Sequence, residues 1–284
     1  MRLDDARESE NVEDRRGMGG GGFRPGGVGG LGIGGVILLL VVSYFLGVDP
    51  TQLLNDSGST SGGGPATGAP AGPPGSDPTG EFARKILADT EDTWSAIFER
   101  SGRRYSKPVL VLFSDVADSA CGQAVSATGP FYCPRDQKVY LDLSFFRELD
   151  RRFGAPGDFA QAYVIAHEIG HHVQNLTGNL SSGGGLSRRS ASAQSVRQEL
   201  QADCLAGVWG HEAAARNRLE PGDAEEGLRA AAAIGDDRLQ RESQGRVVPD
   251  SFTHGSSADR VAALKRGLQT GDVSACGLQE RGSR

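Results

Sequence analysis

Two histidines one helical turn apart, in the segment His167-Glu168-Ile169-Gly170-His171, constrain this chain more than any other feature. Residues 159–176 contain no proline and a single glycine, so a helix is expected there, with Asp158 as its cap and Gly178 at its end. On a helix, a four-residue step returns to the same face, which brings both imidazoles within reach of one metal ion. Glu168 lies just round the helix, placed to take a proton from a water held there without binding the metal itself. The plainer alternative is a polar helix face whose histidines are solvated or hydrogen-bonded. Clustering argues against it: of five histidines in 284 residues, His167, His171 and His172 fall within six positions.

A metal site built for chemistry takes three protein ligands and leaves one position open, so a third ligand must come from elsewhere. Glu199-Leu200-Gln201-Ala202-Asp203 lies in a second expected helix, from about Ala191 to Glu212, with Gly207 and Gly210 near its end. Glu199 and Asp203 share a face of that helix. Glu199 is then the expected third ligand, and Asp203 the acceptor of the free ring N–H of a liganding histidine, fixing its tautomer. An exposed acidic pair is the competing reading.

In their order, HEIGHH, ELQAD and THGSSADR (Thr253 to Arg260) resemble the gluzincin zinc peptidases. Within that group the chain is similar to the family described as putative neutral zinc metallopeptidases, through SACGQAVSATGPFYCPRDQKVYLDLSFF (Ser119 to Phe146) and FTHGSSADRVAALKRG. The likeness covers most of residues 81–284. It implies an α+β zincin-like domain, with a small mixed sheet, an active-site helix and a helical second half, holding Zn2+ and hydrolysing peptide bonds. The elongated metzincin pattern is absent, since Gln174 and Thr177 stand where its glycine and third histidine would be.

The resemblance also implies that His254 donates to the oxyanion developing on the attacked carbonyl. From the residues alone, His254 equally fits a plain loop before a helix capped by the Ser256/Asp259 pair. Arg260 reads as a structural or surface charge, and His172 and His211 lie off the ligand faces. The implied mechanism is metal-assisted amide hydrolysis, with Zn2+ held by His167, His171 and Glu199, and Glu168 as general base. A catalytically silent zincin-fold binding or scaffold protein is the second class considered, because a fold does not guarantee chemistry.

Residues 28–48, VGGLGIGGVILLLVVSYFLGV, carry no charge, and as a helix would match the thickness of a bilayer core. We expect a transmembrane anchor, preceded by a disordered cytoplasmic tail (1–27) and followed by a Gly/Pro/Ser-rich linker (49–80) and the metallopeptidase domain (81–284). A cleaved signal peptide is the alternative. Arg15, Arg16 and Arg24 precede the run and no basic residue follows until Arg84, which predicts a cytoplasmic N-terminus and an extracytoplasmic domain. The polar residues of the metal helix argue against an active site inside lipid.

Four cysteines, Cys121, Cys133, Cys204 and Cys276, allow three pairings, of which we favour Cys121–Cys133 around a Gly-Pro loop, leaving Cys204–Cys276. A net charge of -6 without a basic cluster argues against nucleic acid as a partner. Expected elements are a helix at 81–99, strands at 109–113 and 138–143, a short helix at 145–153 and a loop at 178–190. By the gluzincin resemblance and by its alternation of Val139, Leu141 and Leu143 against Tyr140 and Asp142, the strand at 138–143 is the candidate edge strand for pairing with an extended substrate, and it equally fits an ordinary core strand. Substrate choice and oligomeric state are not encoded in any one motif.

Overall fold

Apolar side chains at 83, 86, 87, 94 and 98 fall on one face at helical spacing, and the chain forms helix α1 (Pro78–Arg100) there. Its start is set by Asp77, whose Oδ1 accepts the Gly80 N–H at 3.0 Å, with Pro78 where a missing donor costs nothing. The computed structural model describes residues 1–17, 77–180 and 187–278. The expected anchor at 28–48 and nearly all of the expected linker lie outside the described residues, as do 181–186 of the loop. Among the described residues no helix is long and apolar enough to cross a membrane.

Behind α1 stands a four-stranded sheet in the order β1-β2-β6-β5. Its strands are β1 (Val12–Asp14), β2 (Val109–Phe113), β5 (Phe131–Cys133) and β6 (Lys138–Asp142). β1 and β6 run parallel to β2, and β5 runs antiparallel to β6 with Phe131 opposite Tyr140. Between them, β3 (Val116–Ser119) and β4 (Gly122–Val125) form a separate hairpin. Leu110, Leu112, Val139 and Leu141 point into the main core, and Val111, Phe113 and Tyr140 into a smaller one with Ala117, Ala124 and Cys133. Both faces are covered, so a one-residue slip would bury the wrong set on each side.

Of the two readings of the strand at 138–143, the edge strand is corrected and the core strand holds. The segment beginning at Lys138 is flanked by β2 and β5, and the edges are β1 and β5. Although apolar and polar residues alternate along it, Tyr140 and Asp142 are buried as well as Val139 and Leu141.

The helical half follows: α2 (Ser144–Arg151), α3 (Asp158–Leu176), α4 (Arg188–Ala215), α5 (Asp223–Ala233), α6 (Asp236–Gln244) and α7 (Ser257–Thr270). Asp158 is the first residue of α3, and Gly157, with φ 118°, takes the cap position. Glycine does not end α4, because Gly207 and Gly210 lie inside it. A Cβ on Gly207 would stand 2.3 Å from the Leu264 carbonyl oxygen, and one on Gly267 would stand 2.0 Å from that of Cys204. These glycines let α4 and α7 pack backbone to backbone. At the start of α7, Ser256 accepts from the Asp259 N–H and donates to its carboxylate. Disulfides join Cys121 to Cys133 and Cys204 to Cys276.

The N-terminal tail was expected to be disordered, and residues 1–17 are instead folded onto the domain. Leu110 N–H donates to Asn11 O at 2.9 Å, and Arg15 N–H to Leu112 O at 2.8 Å. Glu91, buried on α1, accepts from Ser9 Oγ at 2.6 Å, Asn11 Nδ2 at 2.7 Å and Arg7 Nη2 at 3.0 Å. A dense run of charges resembles a solvated tail when its partners, tens of residues away, are unknown.

Candidate metal centre

α3 buries its own Phe159, Tyr163, Ile165, Ile169 and Val173 in the main core, and its His167/His171 face meets α4. The two helices approach closely because Gly170 faces Ala202: a Cβ there would stand 2.9 Å from the Ala202 carbonyl oxygen. That approach brings the carboxylate of Glu199 to both imidazoles. Its Oε2 is 3.2 Å from His167 Nε2, and its Oε1 is 3.5 Å from His171 Nε2. A tetrahedral ion with bonds of about 2.0–2.2 Å holds its ligand atoms roughly 3.3–3.5 Å apart. The donor set therefore fits a divalent cation held by His167, His171 and Glu199. A methyl at Gly170 is expected to push α4 outward, costing about 1–3 kcal/mol and weakening metal binding. Titration of Gly170→Ala against a metal-ion buffer, with its urea midpoint, checks both.

Each imidazole has its far nitrogen held. His167 Nδ1 lies 2.8 Å from Asp203 Oδ1, and His171 Nδ1 lies 2.9 Å from Gln174 Oε1, which presents both Nε2 atoms to Glu199. Gln174 is itself fixed by donating to Gln198 O at 2.7 Å and Gln201 Oε1 at 2.9 Å. Sequence reasoning missed it, although its spacing three residues after His171 was the available signal.

Asp203 is fully buried and is the hub of a polar network. It accepts from Tyr163 Oη at 2.5 Å and from Arg260 Nε and Nη2, both at 2.9 Å. Arg260, read from the sequence as a structural or surface charge, is 2% exposed. Burial opposes ionisation of Asp203, but the Arg260 guanidinium and His167 outweigh it and hold the carboxyl down to about 2. Burial also opposes charge on His167, yet the Asp203 and Glu199 carboxylates lift it to about 10. The pocket between these carboxylates is one that favours a cation.

A cavity of about 730 Å³ opens over the trio. Glu168 and His254 line it beside His167, His171 and Glu199, and Phe145, Phe153, Val164, Ile234 and Leu239 form apolar walls. His254 Nδ1 lies 2.9 Å from Thr253 Oγ1 and 3.3 Å from Asp236 Oδ1, which leaves Nε2 for the cavity. The loop carrying it is gathered by Asp236, whose Oδ2 accepts the N–H groups of Thr253, His254 and Gly255 at 2.7, 2.7 and 3.0 Å. Asp236 was also missed, because it stands 18 residues from His254 with no motif linking them.

His172 and His211 lie apart from the trio. His172 is fully buried, with Nε2 donating to Ser106 O at 2.6 Å and Nδ1 2.9 Å from Tyr132 Oη. It is held neutral, since burial pushes it down to about 4. Through Tyr132, which also accepts from Asn175 Nδ2 at 2.9 Å, it ties β5 to the metal helix. His211 Nδ1 donates to Leu268 O at 2.9 Å. A second acidic group, Asp158, Asp223 and Glu226, lies elsewhere on the domain.

Residues 1–278 match the family model described as "Putative neutral zinc metallopeptidase". The Escherichia coli K12 protein YpfJ, described as uncharacterized, is 50% identical over 295 aligned positions that cover 97% of this chain and 98% of the relative. Mb2605 of Mycobacterium bovis and Rv2575 of Mycobacterium tuberculosis H37Rv, also uncharacterized, are each 42% identical over 206 positions, 69% of this chain and 70% of theirs. No solved structure matches the chain. The family match begins at residue 1 and so takes in the N-terminal strand, beyond the residues 81–284 in which the likeness was first seen. The chain belongs to the putative neutral zinc metallopeptidase family.

Proposed function

We propose that this protein is a zinc-dependent endopeptidase of gluzincin type that hydrolyses peptide bonds in its apolar-walled cavity. The single observation that carries the reading is the convergence of His167, His171 and Glu199 beside Glu168. A scaffold that needed only a structural ion would gain nothing from a carboxylate kept free of the ion at the mouth of a cavity. Zinc, when bound, supplies a Lewis acid that polarises the scissile carbonyl and acidifies water.

The chain's own groups carry out the rest. Glu168 removes the proton of the attacking water, holds it, and delivers it to the leaving amine nitrogen. Nε2–H of His254 donates to the oxygen that gains charge as the carbonyl is attacked, and Asp236 keeps that ring in place. Asp203 and Gln174 keep the ligand tautomers fixed through the cycle. Among the described residues β5 has one edge unpaired in the sheet, and Phe131 and Tyr132 on it line the cavity. An extended peptide adding to that edge would run past Glu168.

The test uses the full chain, loaded with one equivalent of zinc and incubated with casein and a mixed peptide library, with and without a chelator. Chelator-sensitive cleavage that zinc restores is the expected result. One tightly bound zinc with no cleavage of any peptide would favour the silent scaffold instead.

A further inference from the structure

Residues that flank the apolar run 28–48 in sequence meet in space. Before the run, β1 extends the sheet, and Arg16 at its end is ion-paired with both Asp14 and Asp77. After the run, Asp77 caps α1, and Arg84 on that helix reaches back to Asp14 at 3.2 Å and to Asp77 at 3.7 Å. The described chain therefore leaves this corner of the domain after residue 17 and rejoins it at residue 77.

We infer that residues 1–17 are a built-in edge of the metallopeptidase domain and share its side of any membrane, so that residues 28–48 do not separate the N-terminus from the metal centre. A single helical crossing leaves its two ends about 30 Å apart with hydrocarbon between them. Here the described segments on either side of the run, at Asp14 and Arg16 and at Asp77 and Arg84, are joined by ion pairs. The chain cannot return through the same hydrocarbon, because residues 49–76 carry Asp49, Asp56 and a proline- and glycine-rich backbone that would go unpaired there.

Detaching residues 1–17 to permit a crossing would strip three donors from buried Glu91, leaving it Lys107 at 3.2 Å. It would also bare the edge of β2, whose Leu110 and Leu112 are bonded to the segment. Of the three arginines expected to set orientation, Arg15 and Arg16 are engaged within the fold, and Arg24 lies outside the described residues. Arg15 pairs with Glu13 and Arg16 with Asp14 and Asp77, so they are not free to hold the N-terminus on the opposite face.

The test is sidedness of the full chain in intact cells. Asp4 and Glu148 are both exposed, one on the N-terminal segment and one on α2, and the four native cysteines are paired. Asp4→Cys and Glu148→Cys are treated with a membrane-impermeant maleimide before and after permeabilisation. Equal labelling patterns at both positions are expected, either both reactive in intact cells or both only after permeabilisation. Reaction of one before and of the other only after would overturn the inference. A second measurement needs no variant: in the purified full chain the Leu110 amide, donor to Asn11, should resist hydrogen exchange. Free exchange at that amide would equally overturn it.

Discussion

Glu168→Gln is expected to leave zinc bound and the domain folded while kcat/KM for peptide cleavage falls roughly 10²- to 10⁴-fold. The side chain is nearly isosteric and lines the cavity without belonging to the ligand trio, so neither coordination nor packing should change. What is lost is a base that takes up a proton and gives it back. His167→Ala differs, because it removes a ligand and leaves the buried Asp203 carboxylate without the ring that faces it. Metal content, thermal unfolding and kcat/KM measured together separate the two variants. Wild-type turnover in Glu168→Gln would end the proposed mechanism.

Arg260→Met should destabilise the domain by about 3–5 kcal/mol, since it leaves a charged carboxylate fully buried with its main counter-ion gone. The folded value of Asp203, about 2, lies below its ordinary 3.8, so this stabilisation is complete above about pH 4 and is lost as the pH falls toward 2. The difference in urea midpoint between wild type and variant should therefore be wide at neutral pH and narrow through that acid window. Arg260→Lys keeps the charge but not the two-point contact, and should fall between them. A difference that stayed constant with pH would assign the loss to packing alone.

The metal helix was legible because its whole signal is local: spacing, helix period and two ligand types inside one turn. Glu199 and Asp203 were legible for the same reason, once a partner helix was sought. Gln174 and Asp236 were not, since each acts through a contact that exists only after helices or loops have packed. Arg260 was read as a structural or surface charge and no further, because its partners in space, Asp203 and Tyr163, stand 57 and 97 positions away in sequence. The N-terminal segment shows the same limit more sharply. Glu13, Asp14, Arg15 and Arg16 form a charge run typical of disorder, yet Lys138, Asp77 and Arg84 stand waiting for them in the folded domain. Three strand residues are too few to register as a period.

The bond between Cys204 and Cys276 spans 72 positions and encloses α5, α6, His254 and Arg260. It starts just over one turn beyond Glu199 and closes at Cys276, near the end of the described chain. A single backbone nick anywhere in that ring, by any protease, leaves both fragments covalently joined. Such a clipped molecule would migrate as one species on a gel until a thiol is added, and its ligand helix would stay tethered to the piece that carries His254.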